Sequence, residues 1–323
     1  MARAATGLPF DDIRRLIDGP PLPDIEAGDA VHAATAGLGH LGEVAEWLAA
    51  WQGKTAPAIT QPLVAVFAAN HKIVERGVTV EPMSATQDIV ELVAAGGKPV
   101  SRAAMQSNVG LKVFDLALDL PTPDIAAADA LDEAACAATM AFGMEAIAGG
   151  ADLLCVTDIG VGNRTVAAAL SMALFGGDVS DWLPDGQENS QFVQQREAVE
   201  LAIARLGPPQ HKQLRDPLEI LRRVGGREFA AIAGAILAAR YQKIPVLLDG
   251  MVAVTAAAVL HSLAPQTIAH CRVADCGADK GFSKLLTELK MKPLLTMSLG
   301  ENHGLGGVMA TDLCRTAAIA VQP

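Results

Sequence analysis

The feature that most constrains this chain is an alternation. Six short apolar runs, at 63–68, 111–117, 153–156, 244–248, 268–273 and 293–297, are each followed by Gly, Asp, Asn or Ser and are separated by longer segments with helical periodicity. Runs apolar on both sides suit strands buried on two faces, and helical segments between them suit crossovers, so the pattern predicts an α/β fold. The expected core is a mostly parallel six-stranded Rossmann-like sheet flanked by helices, with ligands at the carboxyl ends of the strands. Composition agrees. The 323 residues are 51% hydrophobic but only 4% aromatic, and they are rich in Gly and Ala, which lets helices sit close to a sheet and argues against a packed all-β sandwich.

Ahead of the first run, Val44, Trp47, Leu48 and Trp51 fall at i, i+3, i+4 and i+7, the spacing of one buried helix face. Residues 1–55 are therefore expected to form an N-terminal helical segment and 56–323 the α/β domain. Asp216-Pro217 opens a further helix, Gly225 is expected to close it in a left-handed C-cap, and 228–240 forms the next. The polar stretch 178–195, with Pro184 and Gly186, reads as a loop over the ligand edge of the sheet.

Charge and cysteine usage exclude several classes of function. A net charge of −11 with no Lys/Arg cluster repels a nucleic-acid backbone. Cys136, Cys155, Cys271, Cys276 and Cys314 are scattered and mostly within apolar runs, as reduced core thiols are, and Cys271 and Cys276 lack a second ligand pair for zinc, so no metal is expected. The first residues lack the apolar core of a signal peptide, and no stretch reaches the roughly 18 uninterrupted apolar residues of a membrane span. The expectation is a cytoplasmic enzyme of bacterial type.

The most informative segment runs from Asp158 to Thr165. A strand enters a turn containing Gly160 and Gly162, and Asn163, Arg164 and Thr165 then open a helix. Backbone N–H groups and the positive end of the helix can converge there on a phosphate, with Thr165 adding a hydroxyl, although tight strand-to-helix turns need glycine for structural reasons too. A third glycine is missing, so this is not a dinucleotide fingerprint. After the last run comes Leu299-Gly300-Glu301-Asn302-His303-Gly304. A carboxylate flanked by glycine at a strand end suits a general base, since burial raises its pKa towards neutrality, but Glu301 also reads as a solvated loop acid and His303 as an exposed loop histidine. Asp158 and Asp249 sit at strand ends, either binding ribose hydroxyls or capping the following helices. His71 and Lys72 read equally as polar groups of the site edge or as solvated loop residues, with Thr79 and Gln87 beyond them.

These segments, in order and wording, resemble the nicotinate-nucleotide:dimethylbenzimidazole phosphoribosyltransferase family from end to end, in its alphaproteobacterial form. The likeness is carried by Leu8-Pro9-Phe10-Asp11-Asp12, by residues 41–51, by Val113-Phe114-Asp115-Leu116-Ala117-Leu118-Asp119, by residues 137–146, by Gly225-Gly226-Arg227-Glu228 and by Leu248-Asp249-Gly250. The resemblance implies a parallel sheet with a smaller helical lobe and a homodimer. It implies transfer of phosphoribose from nicotinate mononucleotide to 5,6-dimethylbenzimidazole or a similar azole, without a metal or organic cofactor. Nicotinate is a cationic leaving group, so such an enzyme mainly positions the donor, stabilises an oxocarbenium-like sugar and removes one proton from the incoming base. By this resemblance Glu301 matches the catalytic base. Thr79, Gln87 and Leu299 match the base pocket, and Gly160, Gly162 and Asn163 match the phosphate and ribose loop.

The departures cluster. Asp158 shortens the family's Glu, Arg164 replaces its first Thr, and Pro184-Asp185-Gly186-Gln187-Glu188 stands where relatives carry a Gly-x-Gly-Thr-Gly turn. Arg196 stands nearest the expected phosphate-binding lysine. Asn302-His303-Gly304 replaces Gly-Thr-Gly, and Asn70-His71-Lys72 replaces Asp-His-Gly. They fall on the donor side, where Arg164 and Lys72 return positive charge. The leading expectation is an active transferase. The alternatives are a paralogue that binds a nucleotide or benzimidazole without turnover, or pairs with an active subunit, and a related transfer to another azole or purine.

Overall fold

The computed structural model describes residues 7–184, 190–207, 216–277, 279–300 and 302–322. Its strands are β1 (Pro62–Ala68), β2 (Gly110–Asp115), β3 (Leu153–Ile159), β4 (Val246–Leu248), β5 (Cys271–Asp275) and β6 (Pro293–Leu295). All pair in parallel, in the order β2-β1-β3-β4-β5-β6. The chain leaves β1 towards one edge and returns at β3 to build towards the other, so the order reverses between β1 and β3. In open α/β sheets ligands commonly bind near such a point, outside the carboxyl ends of the strands.

Helices α1 (Phe10–Asp18), α2 (Ile25–His32) and α3 (His40–Gln52) precede β1; α4 (Ala85–Ala94) and α5 (Pro99–Gln106) lead to β2, and α6 (Glu133–Met144) leads to β3. Between β3 and β4 come α7 (Asn163–Phe175), α8 (Ser190–Arg205), α9 (Pro217–Val224) and α10 (Arg227–Tyr241); α11 (Met251–Leu263), α12 (Lys280–Leu289) and α13 (Leu305–Ala320) follow β4, β5 and β6. Alternate strand residues face two separate cores. Ala65, Phe67, Leu154, Val156 and Leu248 meet α1, α6, α7 and α9 to α12, whereas Val64, Val66, Leu153, Cys155 and Leu247 meet α3, α5 and α13.

Two contacts fix the layers. At Gly143 of α6 a Cβ would overlap the carbonyl oxygen of Ala231, and at Gly234 of α10 it would overlap that of Met140, so these helices cross backbone against backbone. On α10, Arg240 is fully buried with its guanidinium 4.1 Å from the Trp51 ring centroid of α3, and none of its three nitrogens has a hydrogen-bond partner. Burial also pushes up the thiols of Cys136, Cys155, Cys271 and Cys314, keeping them protonated and unreactive.

Several local expectations need correction. The fifth strand begins at Cys271 rather than at residue 268, because Pro265–Ile268 forms a 3₁₀ turn. Gly225 closes α9 with φ −93°, not in the left-handed region; glycine is needed there because a Cβ would overlap the Leu221 carbonyl. Part of 178–195 is helical, at Val179–Asp181 and from Ser190 onwards, while 185–189 lies outside the described residues.

Candidate active site

Three loop-to-helix junctions at the carboxyl edge of the sheet, with the loop before α13, enclose a cavity of about 270 Å³. The β3–α7 junction gives Thr157, Asp158, Gly160, Asn163 and Arg164, and the β4–α11 junction gives Asp249 and Gly250. Asp275, Gly277, Asp279 and Phe282 come from the end of β5 and the start of α12, and Gly300, Asn302 and His303 from the loop before α13.

In the first junction Gly162 takes φ +83° as N-cap of α7, a left-handed turn that suits glycine. The Asn163 side chain folds back to donate to Asp158 Oδ2 at 2.8 Å. A Cβ at Gly160 would stand 2.6 Å from the Asn163 amide nitrogen, which is why the turn has no side chain there. The turn is roofed by the segment after β1: Thr86 Oγ1 accepts the Val161 N–H at 3.2 Å. Arg164 gives Nε and a terminal nitrogen to Asp279 at 3.0 and 2.7 Å, leaving its other terminal nitrogen buried and unpartnered in a residue that lines the cavity.

Asp249 follows β4 and is 1% exposed. Its Oδ2 accepts the Gly307 N–H of α13 at 2.8 Å, while Oδ1 has no hydrogen-bond partner. Burial lifts its carboxyl to about 6, against the pull of the Gly307 N–H and helped by the nearby charge of Asp275. Neither Asp158 nor Asp249 caps its own following helix: Gly162 and Gly250 hold those positions without side-chain bonds, and both aspartates line the cavity. Asn302 Oδ1 takes the N–H groups of Gly304 and Gly306 at 3.0 and 3.1 Å, closing the start of α13 with a neutral amide.

His303 is not an exposed loop residue. It sits at φ +53° in the cavity wall, where burial lowers its imidazole pKa against a hydrogen bond to the Asp158 backbone. His71 is not solvated either, being 1% exposed, whereas Lys72 beside it is exposed.

The cavity thus brings together Asp158, Gly160, Asn163, Arg164 and Asp249 of the anticipated residues. Gly162 and the buried Thr165 lie just behind it, in the turn and first helical residues. Four anticipated residues lie off its walls. Thr79 is half-buried with its hydroxyl accepting from Glu81 N, and Gln87 is exposed and bonds Glu91. Leu299 donates its N–H to Asp275, and Arg196 lies on α8 with its charge felt by Asp178. Glu301 and residues 185–188 lie outside the described residues, although Gly300 and Asn302 on either side of Glu301 both line the cavity. Sequence reasoning missed Asp275 and Asp279. Asp275 ends β5, and placing that strand's end at Val273 hid a strand-end carboxylate of the same kind as Asp158 and Asp249.

Comparison with known proteins gives this geometry its class. A family model described as phosphoribosyltransferase matches residues 26–322. The nicotinate-nucleotide–dimethylbenzimidazole phosphoribosyltransferases of Brucella melitensis biotype 1 and Brucella anthropi are each 48% identical to this chain, over 98% of it and 95% of theirs. The crystal structure of nicotinate-nucleotide–dimethylbenzimidazole phosphoribosyltransferase from Thermus thermophilus superposes with a TM-score of 0.82 at 30% identity, covering 97% of this chain and 95% of that one. The fold, with a glycine turn opening a helix beside the point where a parallel sheet reverses its order, is that of a phosphoribosyltransferase. Among these enzymes, the chain belongs to the nicotinate-nucleotide:dimethylbenzimidazole phosphoribosyltransferase family.

Proposed function

We propose that this protein transfers phosphoribose from nicotinate mononucleotide to 5,6-dimethylbenzimidazole or a similar azole, forming the α-riboside phosphate used in cobalamin nucleotide-loop assembly. The observation that carries this reading is the joining of the Asp158 to Arg164 turn with buried Asp249 in one cavity, in a chain 48% identical to enzymes named for this reaction. The phosphate meets the N-terminus of α7, with Gly160, Gly162, Asn163 and Thr165 shaping the turn, the free terminal nitrogen of Arg164 adding a charged donor, and Arg196 the more distant cation. Asp249 Oδ1 and Asp158 take the ribose hydroxyls.

Most charged groups on the wall are carboxylates: Asp158, Asp249, Asp275 and Asp279 against Arg164. Such a wall favours the positive charge of the nicotinate ring and of the sugar as it becomes oxocarbenium-like. The acceptor nitrogen bonds to C1′ as the C1′–N bond to nicotinate breaks, its electron pair leaving with nicotinate. The remaining N–H proton of the new azolium passes to the carboxylate of Glu301, and Thr79, Gln87 and Leu299 hold the acceptor. A homodimer, and a division into a helical segment at 1–55 that contributes to a small lobe and an α/β domain at 56–323, belong to the same proposal. No helix of the described residues is long and apolar enough to cross a membrane.

The test is incubation with nicotinate mononucleotide and dimethylbenzimidazole, with α-ribazole phosphate measured by mass-resolved chromatography. Product that Glu301→Ala lowers by about 10²-fold or more supports the reading. Absence of product from folded wild-type protein overturns it in favour of a binding paralogue or another donor.

A further inference from the structure

The carboxyl end of β1 carries a buried hydrogen-bonded chain outside the cavity. His71 Nε2 lies 2.6 Å from Glu228 Oε1, and His71 Nδ1 lies 2.8 Å from Thr122 Oγ1. Carboxylate, imidazole and hydroxyl in that order activate a nucleophile in hydrolases. Here Thr122 and Glu228 are fully buried, His71 is 1% exposed, and none of the three lines the cavity. The bonds therefore hold a shape rather than prime a hydroxyl.

That shape joins three parts of the fold. Glu228 comes from the first turn of α10, where a Cβ on Gly226 would overlap the His71 ring. Thr122 comes from the β2–α6 connection, and its backbone takes the Lys72 N–H and gives its own N–H to the Asn70 carbonyl, at 2.9 and 2.8 Å. His71 in turn starts the 3₁₀ segment Lys72–Arg76. This segment lays Val74 and Ile73 on Gly162, where a Cβ would stand 2.8 Å from Val74 Cγ1 and 3.4 Å from Ile73 Cγ2. A line of contact thus runs from Glu228 through His71 and the 72–76 segment to the left-handed glycine that caps α7.

We propose that Glu228 and His71 are positioning residues for the phosphoribosyl donor: their buried pair fixes the 72–76 segment, and that segment keeps the Gly160–Asn163 turn in the form that presents the start of α7 to a phosphate. The inference rests on that turn being the phosphate seat. The donor-side turn is what Ile73 and Val74 touch directly, whereas Thr79 and Gln87, proposed for the acceptor, lie beyond Gly77, which closes the segment. Glu228→Gln keeps an oxygen for the His71 N–H, whereas Glu228→Ala leaves a buried imidazole without its partner.

The experiment compares wild type, Glu228→Gln and Glu228→Ala by hydrogen exchange of the 160–165 amides and by the KM of each substrate. Glu228→Ala is expected to speed exchange in 160–165 and to raise the KM for nicotinate mononucleotide about tenfold, as a misplaced binding group does, with the KM for dimethylbenzimidazole changed by less than about twofold. Glu228→Gln should restore both. Exchange at 160–165 that stays as in wild type, or that rises equally throughout the sheet with both KM values moving together, overturns the proposal. A wild type without turnover would remove the proposed reaction alone, since the exchange comparison still decides this point. Should Glu228→Ala fail to fold, Thr122→Val cuts the other end of the chain and is read in the same two ways.

Discussion

Arg164 and Asp279 form a two-pronged ion pair in the wall of the cavity, from the first turn of α7 to the residue that caps α12. The Asp279 Oδ1 atom also accepts the Phe282 N–H at 3.0 Å, so the guanidinium is moored to a helix start. Most of the charge that Arg164 brings to the turn is therefore balanced before any ligand arrives, and one terminal nitrogen remains for an anion.

Replacing Arg164 with Ala should accordingly raise the KM for nicotinate mononucleotide about tenfold, the scale of one charge-assisted hydrogen bond, and leave kcat within about threefold. Steady-state kinetics with the donor varied tests this. An unchanged KM would mean that the pair with Asp279 is the whole role of the side chain.

Asp249 should make the fold less stable as pH rises. Its folded carboxyl titrates at about 6 against an ordinary value of 3.8, so between these values the folded state holds the proton more tightly. The stability it contributes is full below about pH 3.8 and is lost as pH rises through about 6, a loss on the order of 3 kcal/mol at 1.36 kcal/mol per pKa unit. Urea unfolding of Asp249→Asn against wild type should show the variant gaining relative stability from pH 4 to pH 7. A difference that is flat with pH would contradict the assignment. Activity should fall in the same variant if Asp249 takes a ribose hydroxyl as proposed, because one carboxylate oxygen is replaced by an amide nitrogen.

His270 acts with the opposite sign. It is fully buried, and burial together with the charge of Arg240 lowers its imidazole to about 3 from 6.5. The unfolded chain takes up this proton first, so the stability present above pH 6.5 is lost as pH falls towards 3, at about 1.4 kcal/mol per unit for this group. His270→Gln, which can still donate to the Ile236 carbonyl, should flatten that acid limb in melts between pH 4 and pH 7.

Arg240→Met should hold stability or raise it by up to about 2 kcal/mol. The guanidinium is buried without an acceptor and is held near 10 rather than 12.5, and removing such a charge outweighs the contact with Trp51. A loss of more than about 2 kcal/mol in urea unfolding would show that the ring contact dominates.

The sheet was legible because its central strands are buried on both faces and write themselves as nearly unbroken apolar runs; β1 and β3 are the clearest cases, whereas the edge strand β2 is exposed or half-buried throughout and carries Lys112 within it. Strand ends were less legible. The apolar Ile268 belongs to a turn, and the error of two residues at the far end of β5 concealed Asp275. Of the site, the turn from Asp158 to Thr165 could be read locally, since one strand, one glycine turn and one helix make it. The pairing of Arg164 with Asp279, and of His71 with Glu228, joins residues 115 and 157 positions apart. No periodicity records such partners, and a histidine after a strand reads as solvated until the helix that buries it is in place.

The crossing of α6 and α10 at Gly143 and Gly234 bears on how this sequence can change over time. With two main chains in contact, no side chain enters at either position by a small step, because the first methyl group already forces the helices apart. Loop positions that already carry a side chain, such as His303 in the cavity wall, can exchange residues one at a time against the same rigid frame. A chain built on such a crossing can change the lining of its cavity far more readily than its architecture, so its ancestry stays readable after that lining has drifted.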